Sequence, residues 1–143
     1  MTPVALQTRL LSDEQKLVEQ LRQEGIEVGL HICGNTTGII EDMVASMSIH
    51  FELDYKSDWQ AIRAATNGKT TIIGAVDPSN LIPFGTPEEV KAKAREDIEI
   101  VGQNGRFILG AGCILPHITP FKNVHALVEA AHENDWHAGM AVT

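Results

Sequence analysis

The chain contains three side chains, distant in sequence, whose types suit a metal ion. His31 and Cys33 lie two residues apart in the segment GLHICGN, and the second cysteine, Cys113, lies far downstream. Imidazole and thiolate are ligands that zinc prefers, and three protein ligands leave a fourth position for water, a carboxylate or a substrate. Zinc holds a bound thiol as thiolate at neutral pH, so such a site suits activation of a substrate thiol or a water. Two unrelated buried thiols are the alternative interpretation.

Two aspartates, Asp54 and Asp77, are the candidate catalytic carboxylates. Asp54 is the preferred fourth metal ligand, and Glu52 is the second choice because residues two apart in a strand share a face. Asp77 precedes Pro78, a combination that is also common at turns and helix caps. The other histidines lack metal-ligand spacing and are assigned no role: His50, His117, His125, His132 and His137.

Four apolar segments have the alternation of β-strands and would position these residues. The predicted strands are 26–33, 49–55, 70–77 and 106–113. His31 and Cys33 are predicted to share one face of the first strand. Cys113 lies at the end of the fourth strand, and Asp54 and Asp77 lie at the ends of the second and third.

Helical periodicity precedes the first strand and follows each of the four. A capping box is predicted at 12–15 for the first helix, and Ser57 is predicted to open the helix after the second strand. Thr86-Pro87-Glu88-Glu89 predicts the start of a helix that runs to about residues 104–105. The segment 137–142 is a candidate edge strand.

One helix followed by four strand–helix units predicts an α/β fold with a parallel sheet and right-handed crossovers. In such folds ligands bind at the carboxyl ends of the strands. The four strand ends would therefore bring an imidazole, two thiols and two carboxylates to one rim. Because no linker or low-complexity tract interrupts the chain, we predict one domain over residues 1–143.

Composition excludes several classes of function. The chain has 143 residues, 43% hydrophobic and 21% charged, and a formal charge of −8 that argues against binding nucleic acid. No apolar run approaches the roughly 20 residues that span a bilayer, and the N-terminus lacks a secretory pattern. Two cysteines are too few for a disulfide framework, and one disulfide would need an oxidising compartment. We therefore expect a cytoplasmic protein with two thiols.

Motifs along most of the chain resemble the uroporphyrinogen decarboxylase superfamily. They are LHICGNT at 30–36, DYKSDWQAIRAATNGKTTIIGAVDP at 54–78, VDP…L…GTPEEV at 76–90 and GC…P…TP…NV…LVEA at 112–130. The resemblance extends from Ser12 to about Asn134. Decarboxylases of this superfamily need no metal, whereas its corrinoid-dependent methyltransferases bind zinc through His-x-Cys and a distant Cys. His31, Cys33 and Cys113 match this second pattern, that of the methylcobamide:coenzyme M methyltransferase-like branch.

The resemblance implies a reaction and its partners. Zinc would bind an acceptor thiol, which is coenzyme M in archaeal relatives, and the thiolate would take a methyl group from a cobalt corrinoid on a separate protein. Bacterial relatives use other acceptors, including tetrahydrofolate. The alternatives are a decarboxylase-like protein of porphyrin biosynthesis and a truncated fragment without catalytic activity.

The length of the chain implies an incomplete barrel. A (β/α)8 TIM barrel takes about 250 residues, whereas the resemblance aligns this chain with the C-terminal half of the family. We expect a (β/α)4 half-barrel that is completed by self-association or by a partner chain carrying the N-terminal half. A half-barrel alone would leave two open sheet edges.

Overall fold

Four parallel strands form one sheet whose spatial order, β1-β2-β3-β4, is the order of the chain. The computed structural model describes residues 10–103 and 105–133. The strands are β1 (Gly29–Ile32), β2 (His50–Leu53), β3 (Thr71–Val76) and β4 (Phe107–Ala111). The predicted parallel α/β fold is confirmed, with strands shorter than predicted. The candidate strand at 137–142 lies outside the described residues.

Helices precede the first strand and connect or follow the others. They are α1 (Leu11–Gln23), α2 (Ile40–Ala45), α3 (Trp59–Thr66), α4 (Leu81–Phe84), α5 (Pro87–Val101) and α6 (Phe121–Glu133). A 3-10 turn, Thr37–Ile39, leads into α2. In the described part of the chain, no helix is both long and apolar enough to cross a bilayer.

One face of the sheet packs against helices and the other is open. Phe51, Leu53 and Ile72 point towards the helices and are fully buried in a core with side chains of α2, α3 and α5. On the opposite face the parallel register aligns His31, Glu52, Ile73 and Ile108 in one row across the four strands. The side chains of His31 and Glu52 are 39% and 44% exposed, and Ile108 is 53% exposed. The predicted metal ligands therefore begin on the open face.

The alternation of β3 breaks at its carboxyl end. Gly74 and Ala75 both have positive φ angles, 127° and 115°. L-residues rarely adopt this region, so Ala75 stores backbone strain. As a result Ala75 and Val76 are both buried, in two different core clusters, although they are neighbours in a strand. Strict alternation predicts one inward and one outward residue at this point.

The predicted start of α5 is correct. The Thr86 hydroxyl accepts a hydrogen bond from the Glu89 amide (3.2 Å), and the Glu89 carboxylate accepts one from the Thr86 amide (2.7 Å). The hydrogen bonds that the Glu89 carboxylate accepts from the Thr86 amide and from the Thr86 hydroxyl (3.1 Å) lower the pKa of Glu89. The helix ends at Val101, earlier than predicted, with Gly102 as its C-cap.

Two other predicted helix starts are wrong. The proposed capping residue Ser12 lies inside α1, which begins at Leu11 without a side-chain cap. Helix α3 is capped by Asp58, whose carboxylate accepts hydrogen bonds from two amides of the first turn. The Ser57 hydroxyl instead pairs with the Thr36 hydroxyl at 2.9 Å in the buried contact between the loops after β1 and β2. Tertiary packing there overrides the local capping preference.

A buried carboxylate in α5 predicts a pH-dependent stability. The Asp97 side chain is fully buried beside the Lys93 ammonium, 3.0 Å away, and burial raises its pKa to about 6. This pKa exceeds the roughly 3.9 of an aspartate in an unfolded chain, so the folded state binds the proton more tightly than the unfolded state does. The contribution of protonated Asp97 to the free energy of unfolding is therefore fully present below about pH 4 and is lost as the pH rises through 6. A shift of about two pKa units corresponds to about 3 kcal/mol in the free energy of unfolding.

We therefore expect the free energy of unfolding of the wild type, measured relative to that of Asp97→Asn, to fall by about 2–3 kcal/mol from pH 4 to pH 7.5. Urea unfolding of both proteins across this range measures the difference. Parallel pH profiles for the two proteins would contradict the prediction.

Candidate metal centre

The three predicted ligands come from opposite edges of the sheet. His31 lies in β1, Cys33 follows directly after it, and Cys113 lies two residues beyond β4. Four strands in a flat sheet would separate β1 from β4 by about 14 Å, at roughly 4.8 Å per strand. The two thiols nevertheless lie 3.6 Å apart. The segments after β1 and β4 therefore lean towards each other across the sheet.

The carboxyl end of β2 is the support on which both segments rest. On one side, buried Asp54 accepts a hydrogen bond from the Gly34 amide at 2.7 Å, next to Cys33. On the other side, Gly112 packs so closely that a Cβ would lie 2.6 Å from the Tyr55 amide nitrogen. Cys33 and Cys113 thus flank the end of β2, each beside a glycine held against it.

The geometry of the three ligand atoms fits a tetrahedral metal ion. His31 Nε2 lies 3.1 Å from Cys33 Sγ, and the nitrogen and both sulfurs all lie within 4.8 Å of one another. Zn–S bonds of about 2.3 Å and Zn–N bonds of about 2.0–2.1 Å require tetrahedral ligands to lie about 3.5–3.8 Å apart. The donor set and spacing therefore suit zinc after small adjustments.

The electrostatics around Cys33 also favour a cation. The pKa of the Cys33 thiol is raised, first by its hydrogen bond with Cys113, then by burial and by the charges of Cys113, Asp54 and Glu52. The chain itself therefore disfavours the thiolate. A divalent cation between the sulfurs would favour the thiolate over the thiol, because the positive charge stabilises deprotonated thiols.

Asp54 acts as a tether as the site stands. Besides the Gly34 amide, its carboxylate accepts a hydrogen bond from the Lys56 amide at 3.2 Å, and the Lys56 ammonium lies 4.0 Å away. Among the described residues, the group of mutually close ligand atoms includes no carboxylate. Asp54 is thus adjacent to the cluster and holds the segment that carries Cys33.

Glu52 contacts the imidazole of His31. Its Oε2 atom lies 3.2 Å from His31 Nδ1, on the side of the ring opposite the sulfurs. The sequence predicts Glu52 only as a second-choice metal ligand, and strand alternation alone does not reveal its contact with His31. The parallel register that pairs His31 with Glu52 is the signal that would have revealed it.

Asp77 closes a turn at the end of β3. Its carboxylate accepts hydrogen bonds from the amides of Ser79 (2.7 Å) and Asn80 (3.1 Å) and from the Asn80 side chain (3.1 Å). This is the turn-forming role that the Asp77-Pro78 pair allows. The carboxylate follows β3 as predicted but does not belong to the cluster of ligand atoms.

Comparisons with known proteins agree with this architecture. The sequence profile of the uroporphyrinogen decarboxylase (URO-D) family matches residues 2–134. The methylcobamide:CoM methyltransferase MtbA of Methanosarcina mazei is 31% identical over 82% of this chain and 33% of its own. The uroporphyrinogen decarboxylase of Azoarcus sp. is 30% identical over 84% of this chain and 34% of its own.

A solved structure, a methyltransferase from Methanosarcina mazei, superposes with a TM-score of 0.80 and 27% identity, over 93% of this chain and 38% of that chain. The chain spans about a third of the length of the curated relatives it matches. The four strand–helix units are accordingly part of a TIM-barrel-like fold. By sequence and by structure, this chain belongs to the uroporphyrinogen decarboxylase family.

Proposed function

We propose that the chain is part of a zinc-dependent methyltransferase that transfers a methyl group from a methyl-corrinoid protein to a thiol or another acceptor. The observation that carries the proposal is the convergence of His31, Cys33 and Cys113, which would hold the zinc ion. Zinc supplies one thing when bound: it keeps an acceptor thiol deprotonated and therefore nucleophilic. Relatives named as methylcobamide:CoM and methylated-thiol:coenzyme M methyltransferases support this choice within the family.

The chain's own residues would prepare the site for the acceptor. Asp54 holds the Cys33 segment through the Gly34 amide, and we retain Asp54 as the candidate for a weak fourth ligand. Asp77 shapes the rim beyond β3 through its turn, and we retain it as the second candidate catalytic carboxylate. The acceptor is a small thiol such as coenzyme M, or a folate, and the corrinoid would be carried by a partner protein.

The sheet requires further strand–helix units. Its two edge strands, β1 and β4, have no neighbour on their outer sides among the described strands, and its open face exposes Ile108. Open edges and a bare interior face favour pairing with more strands. We propose that further strand–helix units complete the barrel, whether they belong to the same polypeptide, to a second copy or to a partner that carries the N-terminal half. We also propose a cytoplasmic location, where Cys33 and Cys113 would stay reduced and available to a metal ion.

A methyl-transfer assay tests the proposal. The zinc-loaded protein, mixed with methylcobalamin and 2-mercaptoethanesulfonate, should show loss of the methylcobalamin absorbance and formation of the methyl thioether. Excess chelator should abolish both signals. Zinc-bound protein that transfers no methyl group, alone or with an N-terminal half-barrel, would favour the non-catalytic fragment.

The decarboxylase alternative has its own support and its own test. One relative named uroporphyrinogen decarboxylase is 30% identical over 84% of this chain, and another is 34% identical over 66%. Turnover of uroporphyrinogen in the presence of chelator would favour this reaction, because the decarboxylases of the superfamily need no metal. We expect no such turnover.

A further inference from the structure

We infer that Glu52 is a positioning residue: it accepts a hydrogen bond from His31 Nδ1 and thereby presents the Nε2 lone pair to the metal. This inference rests on the metal site of the proposed function. In this inference Glu52 contacts the imidazole of the ligand His31 and does not itself bind the metal.

The two ring nitrogens of His31 face different groups. Nδ1 lies 3.2 Å from Glu52 Oε2, whereas Nε2 lies 3.1 Å from Cys33 Sγ. The parallel register sets His31 directly beside Glu52 on the neighbouring strand, so the carboxylate reaches the ring without crossing another side chain. The contact therefore follows from the backbone of β1 and β2.

Only one tautomer of a neutral imidazole satisfies this arrangement. An ionised carboxylate accepts hydrogen bonds and cannot donate them, so the ring proton must lie on Nδ1. Nε2 then carries the lone pair that a metal ion needs. A carboxylate behind a ligating histidine also fixes the ring orientation and raises its basicity as a ligand.

The surroundings of Glu52 direct its carboxylate to His31. On the β3 side its register neighbour is Ile73, which offers no charge or hydrogen bond from its side chain. The imidazole and the carboxylate are both partly exposed, so packing alone does not hold the ring in place. The contact between Nδ1 and Oε2 at 3.2 Å is the restraint that the structure offers, and the inferred hydrogen bond would make it directional.

Three variants test the inference. Glu52→Leu removes the acceptor, Glu52→Gln keeps an acceptor oxygen without the charge, and Glu27→Gln alters an exposed glutamate shortly before β1 as the control. Zinc affinity is measured by competition with a chromogenic chelator, and the His31 tautomer is read from imidazole 15N shifts of the zinc-free proteins at pH 8.

We expect Glu52→Leu to lower zinc affinity about 10- to 100-fold and to shift His31 away from the Nδ1-protonated tautomer. Glu52→Gln should lose less than about tenfold and largely keep the tautomer, because its amide oxygen can replace the carboxylate. Glu27→Gln should match the wild type in both readouts.

Two results would overturn the inference. One is a Glu52→Leu variant with wild-type affinity and tautomer. The other is complete loss of zinc in both Glu52 variants with the tautomer unchanged, which would make Glu52 a ligand. If the wild type binds no zinc, the proposed function fails, and the 15N shifts alone then decide whether Glu52 sets the tautomer.

Discussion

Replacement of Cys113 by serine should lower zinc affinity at least about 100-fold and leave the fold intact. A serine hydroxyl stays protonated near neutral pH and is a poor zinc ligand compared with a thiolate, so only His31 and Cys33 would remain. Cys113 is half-buried in the segment after β4 and belongs to neither core cluster. Its substitution should therefore change the free energy of unfolding by less than about 1 kcal/mol.

Metal analysis and chelator competition measure this effect. The wild type should carry about one zinc per chain, and Cys33→Ser should lose it as Cys113→Ser does. His125→Asn is a matched control, because His125 lies in α6 against the Phe121 ring and takes no part in the cluster. Stoichiometric zinc in Cys113→Ser at wild-type affinity would exclude the three-ligand site, and with it the thiol activation that it supplies.

The second large effect is expected from Gly112→Ala, which touches no ligand atom. An added Cβ would lie 2.6 Å from the Tyr55 amide nitrogen and 3.3 Å from two other backbone atoms of residues 53 and 54. Backbone atoms cannot retract as a flexible side chain can, so the segment that carries Cys113 must move. Overpacking of this kind costs about 1–3 kcal/mol. A ligand displaced by more than about 0.5 Å also no longer suits the ion.

We therefore expect Gly112→Ala to lower both the unfolding free energy and the zinc affinity, the latter by about tenfold or more. Urea unfolding and chelator competition on the same preparation measure the two effects. Gly38→Ala is the control, because a Cβ at Gly38 meets no atom within 4 Å and its φ angle is not positive. Wild-type zinc affinity in a folded Gly112→Ala protein would show that the close contact with β2 does not position Cys113.

The local features of the sequence predicted much of the fold. Apolar alternation located all four strands, and the Thr86 capping box gave the start of α5, because both depend on residues a few positions apart. The period of two along a strand also put His31 and Cys33 on the same face, and in the structure His31 Nε2 lies 3.1 Å from Cys33 Sγ. The wrong helix starts at Ser12 and Ser57 arise where a local signal competes with packing.

The sequence by itself determined which side chains lie at the strand ends and which face of β1 carries His31. Only the tertiary structure decided that segments from opposite sheet edges meet at the end of β2, that Gly112 must be a glycine, and that Glu52 pairs with His31. The reason is physical: side-chain direction follows from dihedral angles a few residues long, whereas strand register and the approach of two loops depend on contacts between residues about 20 to 80 positions apart.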